Sequence, residues 1–208
     1  MKRPDPHGIC RIGTAQLRGP LRSWTGRWTV VLLLLLPTVL IARPDAGPAS
    51  ARTVKAAFLR NFAHYVTWPP TAFVNENSPW NIGILGDAPL GDAVEKICRD
   101  RTEQGRPFAV FRADTPDALP SCQIVFVAYK DATKRREALA RLKTRPVLTV
   151  GDAPEFLEEG GIIRFRTSDR MEMSINLDQA RAVSLGVQTQ MLELAREVLV
   201  NGVMNKLR

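Results

Sequence analysis

The sequence predicts an α/β fold: a single doubly wound domain with a mostly parallel sheet, a terminal antiparallel hairpin and flanking helices. Three observations predict it. The tetrapeptide Gly-Asp-Ala-Pro occurs at 86–89 and again at 151–154, each time after an apolar run, as at the strand–turn–helix start of a βαβ unit. Residues 122–129 are almost continuously apolar, as in a parallel strand buried on both faces. Residues 171–177 instead alternate apolar and polar side chains, as in a half-buried antiparallel strand.

The first 51 residues are predicted to be a signal peptide with a small-residue leader. Basic residues precede an apolar run at 28–42, and small residues end in Ala49-Ser50-Ala51, which is the pattern of a secretory signal and its cleavage site. The alternative is an N-terminal membrane anchor, but the run is shorter than the roughly 20 residues of a spanning helix and contains Pro37. We therefore expect residues 52–208 to form an exported domain that does not span the membrane after cleavage.

The charge of the predicted mature chain is nearly balanced. The whole chain has 29 Lys and Arg and 21 Asp and Glu, of which seven and two, respectively, lie in residues 1–51. Residues 52–208 therefore carry a net charge of only +3. This small charge gives little support for nucleic acid as a partner.

The N-terminal part of the domain is predicted as helix, strand, helix and strand. Apolar residues recur at helical spacing over 53–68, and Pro69-Pro70 ends this helix because a residue before proline avoids the α region. A polar loop leads to a strand at 81–85 and then to a helix at 90–101. A further strand is predicted at 108–113, after a Gly-Arg-Pro turn.

The middle of the domain repeats the order of strand, helix and strand. The strand at 122–129 is followed by an amphipathic helix at 133–143 and a strand at 146–150. The helix carries the basic run Lys134-Arg135-Arg136. A solvated surface is the simpler interpretation of this run, and docking of an acidic partner or of lipid headgroups is the alternative.

The C-terminal part is predicted as a hairpin followed by two helices. The hairpin strands are 162–166 and 171–177. Asp178 is expected to cap a helix that runs to about Ser184, and a last helix is expected over 188–200. The predicted order is therefore α, βαβ, βαβ, ββ, αα, and the repeated turn suggests a duplicated unit.

The aspartates of the two Gly-Asp turns are the candidate ligand site. Ligands of a doubly wound sheet bind beyond the carboxyl ends of its strands, so Asp87 and Asp152 are expected to face one crevice. The simpler interpretation is that both carboxylates cap helix starts by accepting backbone N–H groups. Neither turn matches a phosphate-binding motif, and no cofactor is expected.

Two further pairs of side chains have both a structural and a functional interpretation. Trp68 and Trp80 flank the polar loop, where they either contact a partner protein or pack the first helix onto the sheet. Cys98 and Cys122 are the two cysteines of the predicted mature chain. In an oxidising compartment they are a candidate disulfide, and the alternative is two separate buried thiols.

The sequence predicts neither a catalytic nor a metal centre. His64 is the one histidine after the predicted leader, and it lies in a helical segment without a nucleophile motif nearby. The two cysteines have no neighbouring histidine to complete a metal site. The chain is therefore not expected to be an enzyme.

Six segments of the predicted mature chain carry a family resemblance. They are Val-Lys-Ala-Ala-Phe-Leu-Arg-Asn-Phe-Ala-His-Tyr-Val-Thr-Trp-Pro at 54–69, Ile-Gly-Ile-Leu-Gly-Asp at 82–87, Cys-Gln-Ile-Val-Phe-Val at 122–127, Pro-Val-Leu-Thr-Val-Gly-Asp at 146–152, Gly-Gly-Ile-Ile at 160–163 and Ile-Asn-Leu-Asp at 175–178. Together they resemble the YfiR/HmsC-like family of periplasmic proteins, and the resemblance spans about 54–199.

This resemblance implies a secreted regulator without enzymatic activity. Members of the family bind the periplasmic sensor part of an inner-membrane diguanylate cyclase and hold it inactive, so that their release raises cyclic di-GMP and promotes biofilm formation. Members tend to form homodimers, and disulfides matter to their folding. The alternative function for this chain is a periplasmic small-ligand binding protein that serves a transporter or sensor through the crevice at Asp87 and Asp152.

Overall fold

The computed structural model describes residues 48–168 and 170–207, so nearly all of the predicted leader at 1–51 lies outside the described residues. The helices in this part are α1 (Pro48–Tyr65), α2 (Ala88–Cys98), α3 (Ala132–Leu142), α4 (Leu177–Ala182) and α5 (Thr189–Leu194), with 3₁₀ turns at Pro70–Ala72 and Pro116–Ala118. The strands are β1 (Val66–Thr67), β2 (Trp80–Leu85), β3 (Thr102–Glu103), β4 (Arg106–Ala113), β5 (Ile124–Val127), β6 (Leu148–Gly151), β7 (Ile163–Thr167), β8 (Met171–Asn176), β9 (Gly186–Val187), β10 (Glu197–Val200) and β11 (Val203–Lys206). Among these helices, none is both long and apolar enough to cross a membrane.

Nine strands form one sheet in the order β11-β10-β8-β7-β6-β5-β2-β4-β3. The strands from β4 to β7 in this order are all parallel, whereas β8 runs antiparallel to β7 and β11 runs antiparallel to β10. The predicted α/β fold, with a mostly parallel sheet, an antiparallel hairpin and flanking helices, is therefore confirmed. Because β2 lies between β4 and β5, the carboxyl ends of β2 and β5 form the topological switch point.

Apolar side chains pack on both faces of the sheet. Ile82, Ile84 and Phe126 face one core together with α1 and α2, whereas Val125 and Val127 face a second core together with α3. Successive side chains of a strand point to opposite faces, so β5 is buried on both sides, as its apolar run predicts. Each fully buried isoleucine or valine stabilises the fold by about 1.5–3 kcal/mol.

The first helix ends one turn earlier than predicted. α1 stops at Tyr65, and Val66 and Thr67 form β1, which pairs antiparallel with β9. Both residues are β-branched, which favours extended backbone. The Tyr65 carbonyl accepts a hydrogen bond from the Gln188 N–H at 3.0 Å. The prediction of a helix that continues to Trp68 is therefore wrong in its last turn.

The predicted last helix at 188–200 is confirmed only up to Leu194, and its second half is wrong. α5 has six residues, and the chain then continues as the hairpin β10–β11. Asn201 and Gly202 form its turn with φ angles of 53° and 73°, as in a two-residue type I′ hairpin. β10 adds to β8 and buries Val198. The Asn-Gly pair and the burial of this strand therefore decide the local structure against the helical spacing of the apolar residues.

Asp178 connects this hairpin to α4 and does not cap the helix. The cap of α4 is Asn176, whose side chain accepts from the Gln179 N–H at 2.9 Å. The carboxylate of Asp178 accepts the N–H groups of Asn201 and Gly202, both at 2.8 Å. One carboxylate thus holds the turn of the terminal hairpin.

Replacing Asp178 by asparagine is expected to destabilise the terminal hairpin at neutral pH. The two N–H donors favour the ionised carboxylate and lower the pKa of Asp178 below its ordinary value near 3.8. A lowered pKa means that this contribution is present above the ordinary value and is lost as the pH falls through the folded-state pKa. Chemical denaturation should therefore show a less stable variant at neutral pH, with a smaller difference from wild type below about pH 4.

The matched control for this experiment is Asp100→Asn, because Asp100 is an exposed aspartate just after α2 and far from the terminal hairpin in the sequence. We expect the control to keep the stability of the wild type across the pH range. Equal denaturation curves for Asp178→Asn and Asp100→Asn would contradict the proposed role of Asp178.

Candidate functional site

The two Gly-Asp turns lie at the carboxyl ends of β2 and β6, but only the first one caps a helix. The Asp87 carboxylate accepts the Leu90 N–H at 3.0 Å at the start of α2. Gly86, in the same turn, has a φ of +81°, and a Cβ there would lie 3.0 Å from the Tyr129 ring, so this close turn requires glycine. Residues 154–160 form turns rather than a helix. The interpretation as caps is therefore correct for Asp87 and wrong for Asp152.

Cations from the start of α1 approach both carboxylates. Lys55 Nζ lies 2.5 Å from Asp152 Oδ2 and 5.6 Å from the centroid of the Phe126 ring. Arg52 Nε lies 4.0 Å from Asp87 Oδ1. β5 lies between β2 and β6, so the start of α1 lies across the carboxyl ends of these three strands. Each of the two aspartates therefore has a cationic partner on α1. These charges thus stabilise the fold at the place where a ligand of a doubly wound sheet would bind.

The structure does not bring the two aspartates into one crevice. Asp87 lines a depression of about 370 Å³ together with Arg112 and Asp114. Asp152 lines a separate depression of about 760 Å³, beside Tyr129. The arrangement therefore offers two separate open depressions and not the single crevice that the sequence suggested.

Arg135 holds the floor of the larger depression. Its side chain is 3% exposed, and its guanidinium donates to both carboxylate oxygens of Glu159, at 2.5 and 2.8 Å. It also donates to the carbonyls of Tyr129 and Lys130. The hydrogen bond to Glu159 raises the pKa of Arg135. This arginine therefore connects α3 with the loop before β7. Of the predicted basic run on α3, Arg135 is buried and does not contribute to the exposed basic surface.

Trp68 and Trp80 are core residues and not exposed anchors. They are 8% and 2% exposed, and their ring centroids lie 5.1 Å apart. Each indole N–H donates to a backbone carbonyl, that of Gln123 for Trp68 and that of Glu103 for Trp80. The packing interpretation is therefore correct. Because both side chains are buried, they are not available for the predicted contact with a partner protein.

Cys98 and Cys122 are both free and buried, and the structure does not bring them together. Cys98 belongs to the core that contains α1 and α2, whereas Cys122 belongs to the core that contains α3. These cores lie on opposite faces of the sheet. Burial raises the pKa of Cys98 to about 11 and that of Cys122 to about 12. Both residues therefore have the character of inert structural thiols.

His64 lies on the surface of α1 in a local contact. Its Nδ1 is 3.0 Å from Glu103 Oε1, and its ring packs edge-on against Tyr65, with centroids 4.8 Å apart. Within residues 48–168 and 170–207, no group of three or more histidine, cysteine, aspartate or glutamate side chains is arranged to hold a metal ion.

Comparison with known proteins gives one family match. A family model described as YfiR/HmsC-like matches residues 52–196. The match begins in α1 and ends immediately before β10, so it includes both Gly-Asp turns and leaves the terminal hairpin outside. No curated protein matches the chain.

Substituting Trp68 by alanine is expected to lower the free energy of unfolding by about 3–5 kcal/mol, because it leaves a large cavity in the core. Urea denaturation measures this loss. The matched control is Val74→Ala, at a side chain that is 87% exposed, where we expect a change within about 0.5 kcal/mol. A Trp68→Ala protein with the stability of the control would contradict the assignment of this ring to the core.

Neither Cys98 nor Cys122 is expected to react in the native protein. At about pH 8, a thiol with a pKa near 11 is ionised in roughly one molecule in a thousand, and the thiolate is the reactive form. A thiol reagent should therefore label both residues only after denaturation, and reducing and non-reducing gels should show the same mobility. A mobility difference that a reductant removes would instead support the predicted bridge between Cys98 and Cys122.

Proposed function

Because the chain belongs to the YfiR/HmsC-like family, we propose that it binds the periplasmic sensor region of an inner-membrane diguanylate cyclase and represses that enzyme. Repression lowers cyclic di-GMP and biofilm formation. The observation that carries this proposal is the family match over residues 52–196, which includes most of α1, all of α2 to α5 and the parallel strands β2, β4, β5, β6 and β7. The family is one of periplasmic regulators and not of known enzymes.

Export through the predicted signal peptide is part of this proposal. Removal of residues 1–51 leaves an α/β domain at 52–208, and the family match begins at residue 52. The working form is proposed to be a homodimer, as the family resemblance implies. No nucleic acid and no cofactor take part in the proposed function.

The geometry supports regulation by contact better than transport of a small ligand. A binding protein needs polar groups that are free to meet a ligand in an enclosed pocket. Here Asp152 is bound to Lys55, and Asp87 caps α2. These groups already have partners within the chain, which favours a function at the outer surface.

We place the cyclase contact around Leu194, at the end of α5. This side chain is 58% exposed and borders a depression of about 230 Å³ that is also lined by Phe58, Met171 and Met173. Exposed apolar patches of this kind are typical of contact surfaces, and methionine adapts its shape to a partner. The rim carries Arg170, Glu172 and Arg196, which gives the patch the polar border of a protein interface.

Deleting this gene is expected to raise cellular cyclic di-GMP severalfold, and a plasmid copy should restore the low level. Mass spectrometry of nucleotide extracts measures the change, and surface attachment provides a second readout. The same deletion in a strain that lacks the cyclase should have no effect. Unchanged cyclic di-GMP after deletion in the parent strain would contradict repression.

The proposed contact surface is tested by complementation with Leu194→Asp, which places a charge in the apolar patch. We expect this variant to accumulate in the periplasm and fail to restore repression. The matched control is Val74→Asp, which introduces the same charge at an exposed valine in the loop after α1. Full repression by Leu194→Asp would contradict the contact surface at Leu194. It would not contradict the proposed regulatory function.

A further inference from the structure

We propose that β11, the outer strand of the nine-stranded sheet, is the surface through which two copies of this chain pair as antiparallel edge strands. The occupant of this edge is therefore a second copy of the same chain. This inference rests on the proposed homodimer and is independent of the identity of the cyclase.

The two edges of the sheet differ in how open they are. At one edge β3 has two residues, so it offers little backbone for pairing. At the other edge all four residues of β11 are exposed. The side chains of Val203, Met204 and Leu207 are 58%, 37% and 51% exposed. Natural edge strands are normally protected by proline, bulges or charged side chains, and Lys206 is the one such feature of β11.

The backbone of β11 presents unused hydrogen-bonding groups at alternate residues. The Leu207 N–H donates to the Arg196 carbonyl of the neighbouring strand segment at 2.9 Å. In an antiparallel ladder the residues alternate between pointing at one neighbour and at the other. Val203, Asn205 and Leu207 therefore point their backbone groups at β10, while those of Met204 and Lys206 point outward.

This alternation and the charge of Lys206 together select one register for a pair of copies. Residues with outward backbone N–H and C=O groups must face each other across the two copies. Three registers satisfy this condition: Met204 opposite Met204, Met204 opposite Lys206, and Lys206 opposite Lys206. In the register with Lys206 opposite Lys206, two positive charges face each other, which destabilises that register. Pairing Met204 with itself places Lys206 opposite Gly202, in the turn. The remaining register joins Met204 to Lys206 in both directions.

The selected register is centred on Asn205 and is self-complementary. It forms four N–H···O bonds, two for each Met204–Lys206 pair. It also places Val203 of one copy opposite Leu207 of the other, so that the exposed apolar side chains meet across the new boundary. A two-fold axis through Asn205 relates the copies, as in an isologous dimer.

The hairpin β10–β11 follows directly after the residues that the family model matches. The match ends at residue 196, and β10 begins at residue 197. The carboxylate of Asp178, which lies inside the match, holds the Asn201-Gly202 turn. The hairpin is thus anchored to α4, and its outer strand β11 has no further strand beside it among the described residues.

Cysteine cross-linking of the mature protein tests this register. In the selected register Asn205 faces Asn205 of the second copy as a non-hydrogen-bonded pair, with Cα atoms about 4.5 Å apart, which is within disulfide range. We expect Asn205→Cys to form a covalent dimer under mild oxidation. The matched control is Val203→Cys on the same face of β11, because two copies of residue 203 would lie about 13 Å apart along the strands. The native cysteines are each 5% exposed and are blocked by burial.

Sedimentation of reduced protein tests the hydrogen bonds without a cross-link. Met204→Pro removes an outward N–H and preserves the inward donors of the hairpin, so the dimer dissociation constant should rise about tenfold or more, because two hydrogen bonds are lost. Met204→Ala keeps the N–H and should change it much less. Circular dichroism and thermal melting confirm that both variants are folded.

Three results would overturn the proposal. They are a mature chain that is monomeric at high micromolar concentration, a dimer that Met204→Pro leaves unchanged, and equal cross-linking of Asn205→Cys and Val203→Cys. A dimer that survives Met204→Pro would overturn β11 as the interface while retaining the homodimer. Intact repression of cyclic di-GMP by folded Met204→Pro would leave the regulatory function standing, so the two failures are distinguishable.

Discussion

The fold depends on one buried amide at the amino-terminal end of β5. Gln123 is 3% exposed; its side chain accepts from the Asn81 N–H at 2.8 Å and donates to the Ala72 carbonyl at 2.6 Å. Its backbone carbonyl accepts from the Trp68 indole and from the Leu148 N–H. One residue thus connects the loop after α1 with β2, β5 and β6. In a buried environment each of these groups must have a partner, so Gln123 fixes how the first helix meets the sheet.

The opposite end of the same strands is held by charge. Lys55 and Arg52 extend from α1 toward Asp152 and Asp87, and Arg135 holds the loop before β7 through Glu159. α1 is therefore fixed by aromatic packing at its carboxyl end and by ion pairs at its amino end. The carboxylates at the ends of β2 and β6 therefore have partners within the chain. The exposed apolar side chains of α5 and β11 are the surfaces at which we propose contacts with other protein chains.

Local sequence determined the parallel half of the fold. Apolar runs, a Gly turn with the Asp87 cap and the alternation in β8 each specify a local conformation that the core then keeps. Sequence alone left the candidate site open, because a tryptophan, a cysteine or an Asp-containing turn has the same letters whether it is buried, paired or free. These outcomes depend on the face of the sheet against which each side chain packs. Trp68 and Cys98 belong to the core on one face, and Cys122 belongs to the core on the other.

Tertiary pairing decided the remaining elements. The sequence by itself determined an α/β domain, the order of its parallel strands along the chain, the β7–β8 hairpin and the resemblance to a regulator family. Only the tertiary structure decided that Val66 and Thr67 leave the helix to pair with β9, and that residues 197–206 become a hairpin. A short segment with both helical spacing and β-branched residues takes the form that tertiary pairing favours. Here β10 pairs with the edge of β8. β11, the second strand of this hairpin, is the exposed outer edge of the sheet.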